Sequence, residues 1–219
     1  MDGIESDVLR LEDVEVTLVG AGRAGSQIAL VLAQLGVRQR IYDGDRLGPE
    51  NQGLQLYRKE DVTAGKQKVE ALREHIGSIV PESCIEVHAE AFEAREDQRR
   101  SPVVVIAVDT METRRRLWER LKNAKGILRL LDVRLGRALV RLHEVRPSHP
   151  QDVADYEASL HDDAVAAAAD CADEATTHAA AAAAALVGGA LRGLVDDLPR
   201  PRWIALDLDR AIWASGKTT

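Results

Sequence analysis

The sequence predicts an α/β fold, a doubly wound and mostly parallel sheet whose C-terminal strands run antiparallel. Residues 14–20 form a short β-branched run that stops at glycine, as a strand entering a tight turn does. A helical pattern and a second strand follow within about thirty residues, the length of one right-handed βαβ unit. The alternation of strand and helix then continues to Val133, and such alternation builds parallel sheets covered on both faces.

Residues 24–35 set Ile28, Val31, Leu32 and Leu35 at helical spacing, and Gly36 closes the segment as a C-cap. Arg38–Tyr42 reads as the second strand, 66–79 as a helix and 85–88 as a short strand. Residues 103–108 are an unbroken apolar run, as expected of a strand covered on both faces. A helix is predicted over 113–123, a strand over 127–133 and another over 138–145. The link before the last is too short for a parallel crossover, so that strand runs antiparallel. Residues 147–174 are acidic and weakly periodic, which fits either a solvated linker or a lid. The alanine-rich helix of 176–195 offers small side chains all round, either for close packing or simply from propensity. Pro199 and Pro201 end it, and 203–213 holds a last strand or two. The chain reads as one domain over 1–219, with a core of 14–136.

With 45% apolar and 30% charged residues the chain is not disordered or fibrous. A formal charge of −7 argues against a generic nucleic-acid coat, so any phosphate contact must be local. Two cysteines, Cys84 and Cys171, are too few for a disulfide framework and suit a reducing, cytoplasmic setting. Cys84 is expected in the core. Residues 1–13 lack the pattern of a signal peptide, and the apolar stretch 179–190 falls short of the ~20 residues that cross a bilayer. The six histidines form no ligand cluster.

Gly20-Ala-Gly22-Arg-Ala-Gly25 is G-x-G-x-x-G between a strand and a helix, the context that a Rossmann-like nucleotide site requires. Its glycines let backbone approach phosphate, and the helix start supplies oriented N–H donors. Asp43 and Asp45 end the second strand, where an acid usually binds ribose hydroxyls and disfavours a 2′-phosphate. The polar loop 48–57 is unlike the next repeat of a dehydrogenase.

The run Asp43-Gly-Asp45, Asn51, Gln55, Tyr57, Asp61-Val62 and Gly65-Lys66 resembles the ThiF/MoeB/HesA family, related to ubiquitin-activating enzymes. The apolar strand ending at Asp109 with Arg114 beyond it, then Asp132-Val-Arg134-Leu-Gly136, Cys171, Thr176 and Thr177, extend the likeness over residues 14–195. The resemblance implies a homodimer that uses ATP and Mg²⁺ to adenylate the C-terminal carboxylate of a ubiquitin-like or sulfur-carrier protein. It assigns Gly20, Gly22, Gly25, Asp43, Asp45, Asn51, Gln55 and Lys66 to the nucleotide, Asp109 to Mg²⁺, and Lys66, Asp109 and Arg134 to catalysis.

The pattern is broken at Leu54, where the family usually carries arginine. Arg134, or Arg23 in the glycine turn, is the expected replacement. No paired C-x-x-C motif is present, so the zinc of many relatives is not expected. Asp170 and Asp173 flank Cys171 and oppose the thiolate that a thioester-forming cysteine needs. Two readings compete with adenylation: a module that binds nucleotide or partner without turnover, and an NAD-dependent oxidoreductase. For single residues a purely structural role stays open, with Asp109 as a helix cap and Lys66 as a solvated side chain.

Overall fold

The computed structural model describes residues 10–51, 53, 55–160 and 177–216. An eight-stranded sheet in the order β3-β2-β1-β4-β5-β6-β7-β8 forms its centre. β1 (Glu15–Val19), β2 (Arg38–Tyr42), β3 (Ile85–His88), β4 (Val103–Ile106) and β5 (Arg129–Leu135) are parallel. β6 (Leu139–Val145), β7 (Trp203–Asp207) and β8 (Ile212–Ser215) continue it antiparallel. The fold class and the reversal at β6 are as the sequence predicted.

The helices are α1 (Arg23–Gln34), α2 (Lys59–Thr63), α3 (Lys68–Ile79), α4 (Met111–Leu121), α5 (Pro150–Ala158) and α6 (Thr177–Val195). β4 carries Val103, Val104, Val105 and Ile106, all buried, because helices cover both of its faces. On one face Ile28, Leu32, Leu72 and Ile76 of α1 and α3 meet the inner stripe of α6. On the other, Leu117, Trp118 and Leu121 of α4 meet Tyr156 of α5.

α6 is long and apolar enough to cross a bilayer, yet Ala179, Ala180, Ala183, Ala184, Val187 and Leu191 are buried in the core. Its small residues serve close approach: a Cβ at Gly188 would lie 3.2 Å from Leu35, the C-cap of α1, and 3.4 Å from Val31 within it.

Several boundaries differ from expectation. The third helix starts at Lys68 instead of 66, and β5 spans Arg129–Leu135 instead of 127–133. α4 begins at Met111 because the Thr110 hydroxyl accepts from the Thr113 N–H at 3.2 Å, so Thr110, not Asp109, is the cap. The segment expected as linker or lid contains α5, started by Pro150 in its first turn. Cys84 is exposed, not core, because it precedes β3 at the sheet's edge. Leu54, Cys171 and Thr176 lie outside the described residues.

Candidate functional site

Strand order reverses between β1 and β4: β2 lies on one side of β1, and the chain returns from β3 to build outward from β4. Ligands of open α/β sheets sit at the carboxyl ends of strands at such a switch point. A cleft of about 650 Å³ opens there, within the range of small-molecule sites.

The glycine turn forms its floor. Gly20 has φ +97°, and a Cβ there would stand 2.7 Å from the Ala107 carbonyl of the chain leaving β4. Only glycine satisfies both constraints. A Cβ on Gly25 would fall 1.9 Å from the Gly20 carbonyl, so this residue packs the turn against α1 and does not line the cleft. Gly22 lines the cleft with open space where a side chain would project. As N-cap of α1 it offers no capping side chain, which leaves the first N–H groups of the helix for a ligand.

Two side chains brace the turn. Asp43 accepts from the Ala21 N–H at 2.7 Å with one carboxylate oxygen and from the Asp45 N–H at 2.8 Å with the other. The Tyr57 hydroxyl donates to the Ala21 carbonyl. Burial, and then the charges of Asp43 and Asp45, raise the Tyr57 pKa well above its usual value, so it remains a donor. Asn51 is buried and accepts from the Gly48 N–H at 2.8 Å, and it lines the cleft together with Gln55, whose Oε1 is buried without a donor.

Gly20, Gly22, Asp43, Asp45, Asn51, Gln55, Asp109 and Arg134 thus converge as the sequence suggested, but Lys66 does not. The Lys66 ammonium bridges Asp61 and Glu74, both at 2.7 Å, outside the cleft lining. The lysine of the cleft is Lys68, in the first turn of α3, whose Nζ lies 2.7 Å from Asp45. Backbone pairing explains the difference: an Arg46–Gln67 bridge and the Lys68 N–H donating to the Asp45 carbonyl at 3.0 Å draw the start of α3 to the end of β2.

The far wall is an ion network. Asp132 on β5 is fully buried and accepts from Arg114 at 2.9 Å and from Arg134 at 2.7 Å, with the Tyr156 hydroxyl donating at 3.2 Å. Burial pushes the Asp132 pKa upward, but the charges of Arg114 and Arg134 outweigh it and hold the carboxyl below its usual range. Arg134 also donates to the Ser159 carbonyl at 2.8 Å and its hydroxyl at 3.0 Å, so much of its fork is occupied. His143, beside Asp132 on β6, is pushed down to about 3 by burial first and by Arg134 next.

Of the cations that line the cleft, Lys68, Arg114, Arg116 and Arg134 each face a carboxylate. Arg23 has none among the described residues, and its Nε is buried without an acceptor. Asp109 is exposed at the cleft's rim, without a hydrogen bond or ion pair among the described residues. As a hard oxygen donor uncommitted elsewhere, Asp109 fits Mg²⁺, which takes one or two carboxylates and completes its shell with water and phosphate. No group of three or more His, Cys, Asp or Glu that could hold a metal occurs among the described residues.

Comparisons with known proteins bear on the family and the fold. Ubiquitin-like modifier-activating enzyme 5 of Caenorhabditis briggsae is 34% identical over 87 residues, 39% of this chain and 20% of that protein. The fold matches the crystal structure of PaaA with TM-score 0.70 at 18% identity, covering 96% of this chain and 66% of that one. It matches E. coli MccB with MccA with TM-score 0.73 at 16% identity, covering 94% and 64%. The chain therefore spans a fifth of the activating enzyme and about two thirds of the solved structures. The ThiF family model matches residues 3–128, which include the glycine turn, the bracing loop and the Asp109 rim. With more than half of its length so matched, the chain belongs to the ThiF family.

Proposed function

We propose that the chain binds ATP across the glycine turn and uses it to adenylate a carboxylate, that of the C-terminus of a ubiquitin-like or sulfur-carrier protein. The observation that carries this reading is the cleft itself: open backbone N–H groups, an unpaired Arg23, Lys68 and an uncommitted Asp109 around one space. A solved structure of the fold neighbour MccB holds ATP, and another holds MccA.

In this reading the triphosphate lies on Gly22 and the first turn of α1, where the helix dipole and free N–H groups favour negative charge. Arg23 and Lys68 neutralise phosphoryl oxygens, and Asp43 retains lone pairs for a ribose hydroxyl while bracing the turn. Asp109 would hold Mg²⁺, which supplies charge neutralisation when bound. The incoming carboxylate oxygen bonds to the α-phosphorus as the bond to the β,γ-diphosphate breaks, giving acyl adenylate and pyrophosphate. The residues contribute position and fixed charge aimed at the oxygens that become more negative. Arg114 and Arg134 act indirectly, by holding Asp132 and the wall of the cleft.

The test is ATP–pyrophosphate exchange with candidate carrier proteins. Carrier-dependent exchange is expected. ATP bound but left intact with every carrier would instead identify a binding module without turnover.

A further inference from the structure

We propose a second ligand site, separate from the nucleotide cleft, that takes a phosphate group on a cluster of arginines. It is a pocket of about 230 Å³ lined by Arg129, Arg146, Arg200 and Arg202, with the carboxylates Glu144, Asp152 and Asp197 among them. Its lining shares no residue with the cleft. The cleft lies at the carboxyl end of β5, beside Val133 and Leu135, whereas Arg129 opens that strand at its amino end.

Carboxylates within the cluster satisfy the guanidinium groups only in part. Arg146 engages Asp152 in a fork at 2.6 and 3.1 Å. Glu144 accepts from Arg200 at 2.8 Å, but approaches Arg129 only to 3.6 Å. Arg202 pairs with Asp155 through one terminal nitrogen. The Nε atoms of Arg129 and Arg202 are left buried with no acceptor. A buried donor without a partner is costly, and two in one pocket mark the place of an acceptor. Burial lowers the Arg129 pKa; the charge of Glu144 offsets this only in part, Arg146 adds to the lowering, and Asp152 and Asp197 offset it a little further.

The framework holds the cluster in place. Pro199 and Pro201 stiffen the loop that carries Arg200 and Arg202. Gly193 of α6 leaves room for Arg200, since a Cβ there would lie 2.4 Å from the arginine's Cδ. Each guanidinium presents five donors in a plane, so several forks around one space suit an acceptor with more oxygens than a carboxylate offers. The volume is several times the ~30 Å³ of one water and admits phosphate with a short extension. The ligand is free phosphate or the phosphate of a small monoester.

The experiment titrates the full chain with inorganic phosphate at constant ionic strength, using chloride as control, and follows the arginine Nε–H resonances by NMR. Saturable shifts of the Arg129 and Arg202 signals are expected. Arg129→Gln should weaken binding about tenfold or more, and Glu144 keeps Arg200 as its partner in that variant. Arg129→Lys, which keeps the charge and loses Nε, should also weaken it and serves if the glutamine variant does not fold. Arg23→Ala, in the other site, should leave it unchanged, so this site and the nucleotide reading fail separately. A tighter response to glycerol phosphate would assign a monoester, and equal responses would assign free phosphate. No response beyond that of chloride, or saturable binding indifferent to both Arg129 variants, would overturn the proposal.

Discussion

Lys66 and Lys68 stand two positions apart and have different surroundings. Lys68 is nearly buried beside Asp45 in the cleft, while Lys66 bridges two carboxylates at the surface. Lys68→Ala should lower kcat/KM for the exchange reaction by about 10- to 100-fold, the range of one charge-assisted contact. Lys66→Ala should stay within about threefold, as for an exposed ion pair. The reverse order would return the phosphate role to Lys66. His143 supplies a prediction on stability. Its folded pKa of about 3 lies below the ordinary ~6.5, so between those values the unfolded chain binds a proton that the folded one refuses. Stability is full above pH ~6.5 and falls by about 1.4 kcal/mol per pH unit toward pH 3 from this group. His143→Phe, which keeps a ring against Tyr156, should lose about 2–3 kcal/mol less than the wild type between pH 6.5 and 4.5 in urea titrations. Parallel acid limbs would contradict that assignment. Motif residues were legible because each is chemically distinctive, but the choice between two nearby lysines depended on where a helix starts, which a backbone bridge decides.

At the scale of the element, the turn between β1 and α1 separates binding from folding. Gly22 faces open space at an ordinary φ of −72°. Gly22→Ala should therefore change stability by no more than about 1 kcal/mol, the scale of an N-cap substitution. It should weaken nucleotide binding, because the methyl group occupies the ligand's side of the turn. Gly25→Ala forces a methyl onto the Gly20 carbonyl and should cost about 1–3 kcal/mol through overpacking, with affinity falling as the turn distorts. Melting curves and nucleotide titrations on the two variants check both; equal destabilisation would contradict the distinction. The strands and main helices were legible because their apolar periods are long. α2 was not, since five residues carry too little period, and α5 was hidden in an acidic stretch whose helix depends on packing Tyr156 beneath Asp132.

Over the whole molecule, the parallel half of the sheet carries both the cleft and its far wall on β5, and the antiparallel half extends the sheet beyond that wall. The buried Arg114–Asp132–Arg134 network lies where the two halves join. Such a network is weak evidence for stability, since desolvation offsets much of the attraction, but breaking it leaves a buried charge that would disturb both the wall and the Arg134 fork. Alternation of elements predicted the doubly wound sheet, and the glycine turn after its first strand predicted the location of the site. It did not predict α5 closing on Asp132, because contacts between distant segments leave no periodic trace. The most direct measurement is calorimetric titration of the chain with ATP and Mg²⁺ beside NAD, on wild type and Arg23→Ala. Saturable ATP binding, little or no NAD binding and a loss of ATP affinity of about tenfold or more in the variant are expected. Preference for NAD, or an ATP affinity indifferent to Arg23, would contradict the proposed function.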